Sequence, residues 1–196
     1  AVAQQAQCDT SAVLPFSTGV IGQPLPVEKI TNALPEAFRT LAADNWFAAA
    51  HAIMTTDSIA KARSVELSLN GQPITLTGIA KGSGMIRPDM ATLLSYIATD
   101  AAISPSILQK MLDVSMEQSF NSITVDGDTS TNDACILIAT GKAGNSVIED
   151  IDSPDAHQFI EALNNLSRFL AQAIVRDGEG ATKFISIDVQ QGANPD

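Results

Sequence analysis

Thr92 stands behind a small residue, Ala91, at the end of the glycine- and proline-bearing segment Gly78-Ile-Ala-Lys-Gly-Ser-Gly-Met-Ile-Arg-Pro-Asp-Met-Ala-Thr-Leu-Leu94. A threonine hydroxyl is a poor nucleophile unless a base sits beside it. One solution is to cut the peptide bond ahead of the threonine, so that its own freed α-amine becomes that base. Composition gives no sign of such a cut. Thr18, Gly19, Thr55, Lys81 and Glu179 are further positions of interest along the chain. Each also has an ordinary reading. Thr55-Thr-Asp57 could cap a helix, Ser17-Thr-Gly19 could turn a strand, Lys81 reads alone as a solvated surface lysine, and Glu179 reads as a solvated tip between two glycines.

Several chemistries find no support. Gly82-Ser-Gly84 has neither the order of a P-loop nor that of a dinucleotide fold. The loop Asp126-Gly-Asp-Thr-Ser-Thr-Asn-Asp133 is rich in carboxylates, but its glycine is misplaced for a calcium-binding EF-hand. It reads better as a loop that stabilises its own turns through Asx and Ser/Thr hydrogen bonds. His51 reads as a packed core histidine, and no histidine, serine and aspartate stand at a recognisable triad spacing. With two cysteines, Cys8 and Cys135, and two histidines, a zinc site is disfavoured. Both cysteines are expected reduced and packed as small hydrophobes.

The elements that must position these groups follow from periodicity. Val65 to Ile79 reads as a hairpin about Asn70-Gly71, the favoured two-residue turn. Its second strand runs into the glycine loop. Val27 to Asn45 has helical spacing with Pro35 as a break, and Trp46 to Met54 is helix or buried strand. Met90 to Ala102 is strand or buried helix. Ser104-Pro and Ser153-Pro each start a helix, reaching about Phe120 and about Val175. Short strands are expected within Val13–Gly22 and over Ile123–Val125, Ala134–Ala139 and Lys183–Val189. Strands and helices come in blocks rather than in βαβ alternation, which favours α+β.

Length and charge bound the rest. The 196 residues, 45% hydrophobic and 17% charged, can bury a real core. Acidic residues outnumber basic ones 22 to 11, giving a formal charge of -11 that disfavours nucleic-acid and anionic-membrane partners. No apolar run approaches the ~20 residues of a membrane span. The start, Ala-Val-Ala-Gln-Gln-Ala-Gln-Cys8, lacks the basic and apolar regions of a signal peptide and also an initiator methionine.

Six segments in order resemble one family. They are Val13–Gly22, Ala52–Asp57, Gly78–Ile86, Pro88–Leu94, Asp126–Asp133 and Ile174–Lys183. Together they are similar to the ornithine acetyltransferases, or glutamate N-acetyltransferases, of arginine biosynthesis. The resemblance covers nearly the whole chain. The segment around Thr92 is its most specific part, although Arg87-Pro-Asp89 departs from the small or neutral residue and asparagine more common in the family.

The resemblance implies a cytoplasmic precursor that cuts itself between Ala91 and Thr92. Residues 1–91 would then be the C-terminal part of one fragment and 92–196 the N-terminal part of the other, assembled as one unit. It implies an αββα-type sandwich of mixed or antiparallel sheets flanked by helices, in oligomers of heterodimers. Thr92 would carry the acetyl group from N-acetylornithine to glutamate in two steps, with acetyl-CoA as a further donor in some members and no resident cofactor or metal. The freed amine, with a pKa of about 7.7–8.0, is partly neutral near pH 7 and can act as the base. Thr18 and Gly19 match the family's oxyanion hole, where one donor is worth about 2.7–4 kcal/mol of barrier. Thr55, Lys81 and Glu179 match substrate contacts, the cation suiting a carboxylate and the anion the ornithine ammonium. Family chains extend past both ends of this one, so it resembles a central slice. Two other functions remain open: a related self-processing amidase or aminopeptidase, and a truncated domain that binds without turnover.

Overall fold

The computed structural model describes residues 1–87 and 93–191. The expectations for Ala91 and Thr92, and for the rest of 88–92, lie outside the described residues.

Helices α1 (Val2–Ala6), α2 (Val27–Arg39) and α3 (Trp46–Ala52) precede the sheet. Strands β1 (Lys61–Leu69), β2 (Gln72–Lys81), β3 (Leu94–Thr99) and β4 (Ala134–Ala139) form one sheet in the order β1-β2-β3-β4. Helix α4 (Pro105–Glu117) and a 3-10 turn (Phe120–Ser122) lie between β3 and β4, and α5 (Pro154–Arg176) follows. β1-β2 and β2-β3 are antiparallel, whereas β3-β4 is parallel. The class is α+β with a mixed sheet flanked by helices, as the block pattern implied.

The hairpin turn is the two-residue kind. Leu69 pairs with Gln72, and Asn70 and Gly71 have φ of 50° and 82°, the left-handed region such a turn requires. The Asn70 side-chain amide donates to the Asp155 carboxylate and ties the turn to the start of α5. That helix starts where Ser153 caps it, its hydroxyl accepting the Ala156 N–H at 3.2 Å. α5 packs on β1 and β2. Phe159, Leu163, Leu166 and Leu170 meet Ile74, Leu76 and Ile97 in a core without solvent access. At α4, Ser104 gives no side-chain cap. Its carbonyl instead accepts the Leu108 N–H at 2.9 Å.

Several local expectations are corrected. Val13–Gly22 forms no strand, and neither does Lys183–Val189. Ile185, Ile187 and Val189 are exposed, because alternation makes a strand only where a neighbouring backbone offers hydrogen bonds. Ile123–Val125 is likewise irregular, joined to the glycine loop by the Val125 N–H on the Ile86 carbonyl at 2.8 Å. Pro35 does not break α2, which runs through it. His51 is exposed rather than in the core, with Nδ1 2.9 Å from the Phe47 carbonyl. Cys8 is exposed too. Cys135 is partly buried, and burial pushes its thiol up to about 12.

Candidate active site

Five of the residues singled out in the sequence, Thr18, Gly19, Thr55, Lys81 and Glu179, line one cavity of about 460 Å3. They come from four segments. Thr18 and Gly19 lie in the irregular stretch before α2, and Thr55 in the turn before β1. Lys81 ends β2, and Glu179 follows α5. Thr56, Ser83, Gly84, Met85, Asp126 and Asp128 share the lining.

Lys81 is 3% exposed, against its ordinary reading as a surface lysine. It ends β2 on the face opposite Ile74, Leu76 and Ala80, the face that also carries the buried Ile79. Its ammonium donates to the Thr55 hydroxyl at 2.9 Å, and among the described residues it makes no ion pair. Burial pulls its pKa below the ordinary lysine value. The charges of Asp57 and Asp133 oppose that, and Lys61 adds to it. A buried cation with open donors favours an anionic ligand group.

A second buried lysine has the opposite fate. Lys61 Nζ contacts Asp57 Oδ1 at 2.7 Å and Asp177 Oδ2 at 2.6 Å, all three side chains being essentially inaccessible. Burial alone would raise both carboxyls. The Lys61 hydrogen bond and charge outweigh it, helped at Asp57 by the Gly82 and Thr55 N–H groups and at Asp177 by Ser58, so both fall below the usual range. This triad joins the turn before β1, the glycine loop and the end of α5. The Gly82 N–H donates to Asp57 at 2.7 Å, and the Ser58 N–H to Asp177 at 3.0 Å.

The glycine loop is held from two more sides. The Glu179 N–H donates to the Ser83 carbonyl at 2.7 Å, and the Thr56 and Ser83 hydroxyls share a hydrogen bond of 2.7 Å. The Glu179 carboxylate lies so close to Gly84 that a Cβ there would sit 2.9 Å from its Cδ, so any side chain at this position would displace that carboxylate. Met85 takes φ 53°, costly for a residue with a side chain. Asp126 holds it there, accepting the Met85 and Ile86 N–H groups at 2.6 and 3.0 Å.

The 126–133 loop makes the expected Asx and Ser turns, Asp128 N–H to Asp126 Oδ1 and Asn132 N–H to Ser130 Oγ. Its long-range grips on Met85, Ile86 and Leu93 were not legible. Nor were the roles of Asp57, Lys61 and Asp177, since nothing in spacing distinguishes a carboxylate that turns inward from one left in water. Lys61, charged at the start of a strand whose odd residues face the core, was the available cue.

A larger cavity of about 540 Å3 lies between α4 and β4, against Leu112, Met116, Phe120 and Cys135. It holds none of the five residues above, and Asp113, Glu117 and Asp133 stand in its wall beside the apolar side chains. The smaller cavity, with one open cation, carboxylates and hydroxyls, is the candidate site.

Fold and cavity together define an α+β protein with a cavity lined by hydroxyls and by side chains of both charges. The chain belongs to the ArgJ family, whose sequence profile matches residues 1–196. It is 54% identical over 194 residues to the "Arginine biosynthesis bifunctional protein ArgJ" of Pseudomonas syringae pv. tomato, covering 99% of this chain and 48% of that protein. The protein of the same name from Psychrobacter arcticus is 53% identical over 192 residues, with 98% and 47% covered. A crystal structure of the Bacillus halodurans arginine biosynthesis bifunctional protein ArgJ is similar at 46% identity and a TM-score of 0.41, over 43% of this chain and 39% of that one. The chain spans about half the length of the curated relatives it matches.

Proposed function

We propose that this chain is part of an acetyltransferase of arginine biosynthesis that cuts itself between Ala91 and Thr92 and then carries acetyl groups on Thr92. The observation that carries the reading is the convergence of Thr18, Gly19, Thr55, Lys81 and Glu179 on one cavity from positions spread between 18 and 179. Lys81 pairs with the α-carboxylate common to N2-acetylornithine and glutamate. Glu179 faces the ornithine ammonium.

The Thr92 oxygen attacks the acetyl carbonyl of N2-acetylornithine while the freed α-amine takes its proton. The C–N bond breaks, the proton passes to the departing ornithine nitrogen, and an acetyl ester of Thr92 remains. Thr18 and Gly19 donate to the oxyanion. The amine of glutamate then attacks the ester, forming N-acetylglutamate and restoring the hydroxyl. The relatives are named bifunctional, which supports acetyl-CoA as a second donor to the same threonine, with no resident cofactor.

The two fragments, 1–91 and 92–196, stay together in this reading. β2 and β3 lie on opposite sides of the cut and pair from Leu76 with Thr99 to Lys81 with Leu94, so a severed backbone keeps its ladder and core. We read the enzyme as cytoplasmic and as an oligomer of such heterodimers. Among the described residues no helix is long and apolar enough to cross a membrane.

The test uses the full-length protein. Mass spectrometry is expected to find a split ahead of Thr92 that Thr92→Ala abolishes, and acetyl transfer from N-acetylornithine is expected to require glutamate. Acetate release at the same rate without glutamate would favour the amidase instead. An intact chain with full turnover would sink the threonine mechanism.

A further inference from the structure

Leu93, the residue directly after Thr92, is held by both of its backbone groups. Its N–H donates to Asp133 Oδ1 at 2.6 Å, and its carbonyl accepts the Ala134 N–H at 3.0 Å. The parallel ladder begins at the next residue, Leu94 opposite Ala134. Leu93 is 4% exposed, so water does not compete for these bonds.

The N–H in the grip of Asp133 belongs to the planar peptide unit that joins residues 92 and 93. The hydrogen bond to Asp133 therefore acts one peptide bond away from residue 92. Asp133 lies in the wall of the 540 Å3 cavity and not of the 460 Å3 one, so its link to the candidate site runs through the chain at Leu93. Burial pushes the Asp133 carboxyl up to about 7, with the Leu93 N–H and the Lys81 charge pulling the other way, and its Oδ2 is buried with no hydrogen-bond partner among the described residues.

We propose that Asp133 is a positioning residue for Thr92, fixing the nucleophile for self-cleavage and for acetyl transfer by its grip on the Leu93 N–H. The inference rests on Thr92 being the nucleophile. It predicts an order among variants that burial alone does not. Asp133→Asn keeps an oxygen at the Oδ1 position and resembles the protonated acid. Asp133→Glu keeps the charge and moves the oxygens by one methylene.

In the full-length protein, splitting before Thr92 is followed by mass spectrometry, and kcat and KM for N-acetylornithine are measured on the split enzyme. Misplacing a reacting group by about 1 Å costs on the order of 100-fold, so Asp133→Glu is expected to slow splitting and kcat by about that factor with KM nearly unchanged. Asp133→Asn is expected to stay much closer to wild type and to lose any dependence of splitting on a group titrating near 7. If Asp133→Glu does not fold, Asp133→Ala replaces it with the same expectation. Wild-type splitting and kcat in the displaced or truncated variant overturns the inference, and so does an Asp133→Asn protein impaired equally. Thr92→Ala answers the separate question: if it still splits, the nucleophile reading itself has failed.

Discussion

α2 and α5 are both amphipathic and read alike in sequence, yet α5 buries nine residues and α2 none. The contrast extends to their surroundings. The sheet with α4 and α5 holds the continuous core, whereas Leu14, Ile21, Leu41 and Phe47 in the first 60 residues stay exposed. An apolar stripe states that a helix has a face to cover and does not say what covers it. The candidate site straddles the two regions. Lys81, Ser83 and Glu179 come from the well-packed side, and Thr18, Gly19 and Thr55 from the other. The two buried lysines repeat the contrast in miniature, Lys61 neutralised by two carboxylates and Lys81 left for a ligand.

The largest expected effect is in the packed region. Phe159→Ala removes a fully buried ring under the sheet and should cost about 3–5 kcal/mol in denaturant unfolding. A loss as small as that of an exposed α2 variant would erase the distinction between the regions.

Close behind come the lysines. Lys61→Met strands Asp57 and Asp177 without their cation and should cost about 3–5 kcal/mol. Lys81→Met removes a buried charge that has no carboxylate on it, so unfolding should shift little while acetyl transfer is lost. Equal destabilisation by both would show that Lys81 is structural.

Titration separates the carboxylates. Asp57 and Asp177 are lowered, so the stability they contribute is present above their unfolded value near 3.8 and is lost as pH falls through their folded values. Asp133 is raised to about 7, so the folded state holds its proton longer and this contribution declines as pH rises from about 4 through 7. Thermal melts from pH 5 to 8 in an unsplit Thr92→Ala background should fall for Asp133 and flatten for Asp133→Asn. A slope that survives the substitution assigns it to another group.

Gly84→Ala should act locally. The added carbon displaces the Glu179 carboxylate, whose flexible stem can yield, so KM for N-acetylornithine should rise with little loss of stability. The smallest change is Ile30→Ala on the exposed face of α2, within about 0.5 kcal/mol by the same melts.

How far the chain could be read without coordinates depended on whether a signal was local. The hairpin was legible because Asn70-Gly71 suits the left-handed turn that few residue pairs accept. α5 was legible because Ser153-Pro154 announces its start and its apolar residues repeat at helical spacing. β4 was found at Ala134–Ala139 from a short apolar run between polar segments. Lys183–Val189 had an equally clear period and formed no strand, since a ladder needs a partner that the period does not name. The site residues came from resemblance, and their ordinary readings won one by one.

The sequence alone determined the α+β class, the hairpin, the two helices that start at Ser-Pro and the family, because turns, helix starts and motif order are written within a few residues of one another. Only the tertiary structure decided that Lys81 is buried and open while Lys61 is buried and paired, and that Asp126 and Asp133 reach 40 residues back to grip the loop and Leu93. Those outcomes depend on the dielectric and the hydrogen-bond partners met after the chain packs, which distance along the backbone does not encode.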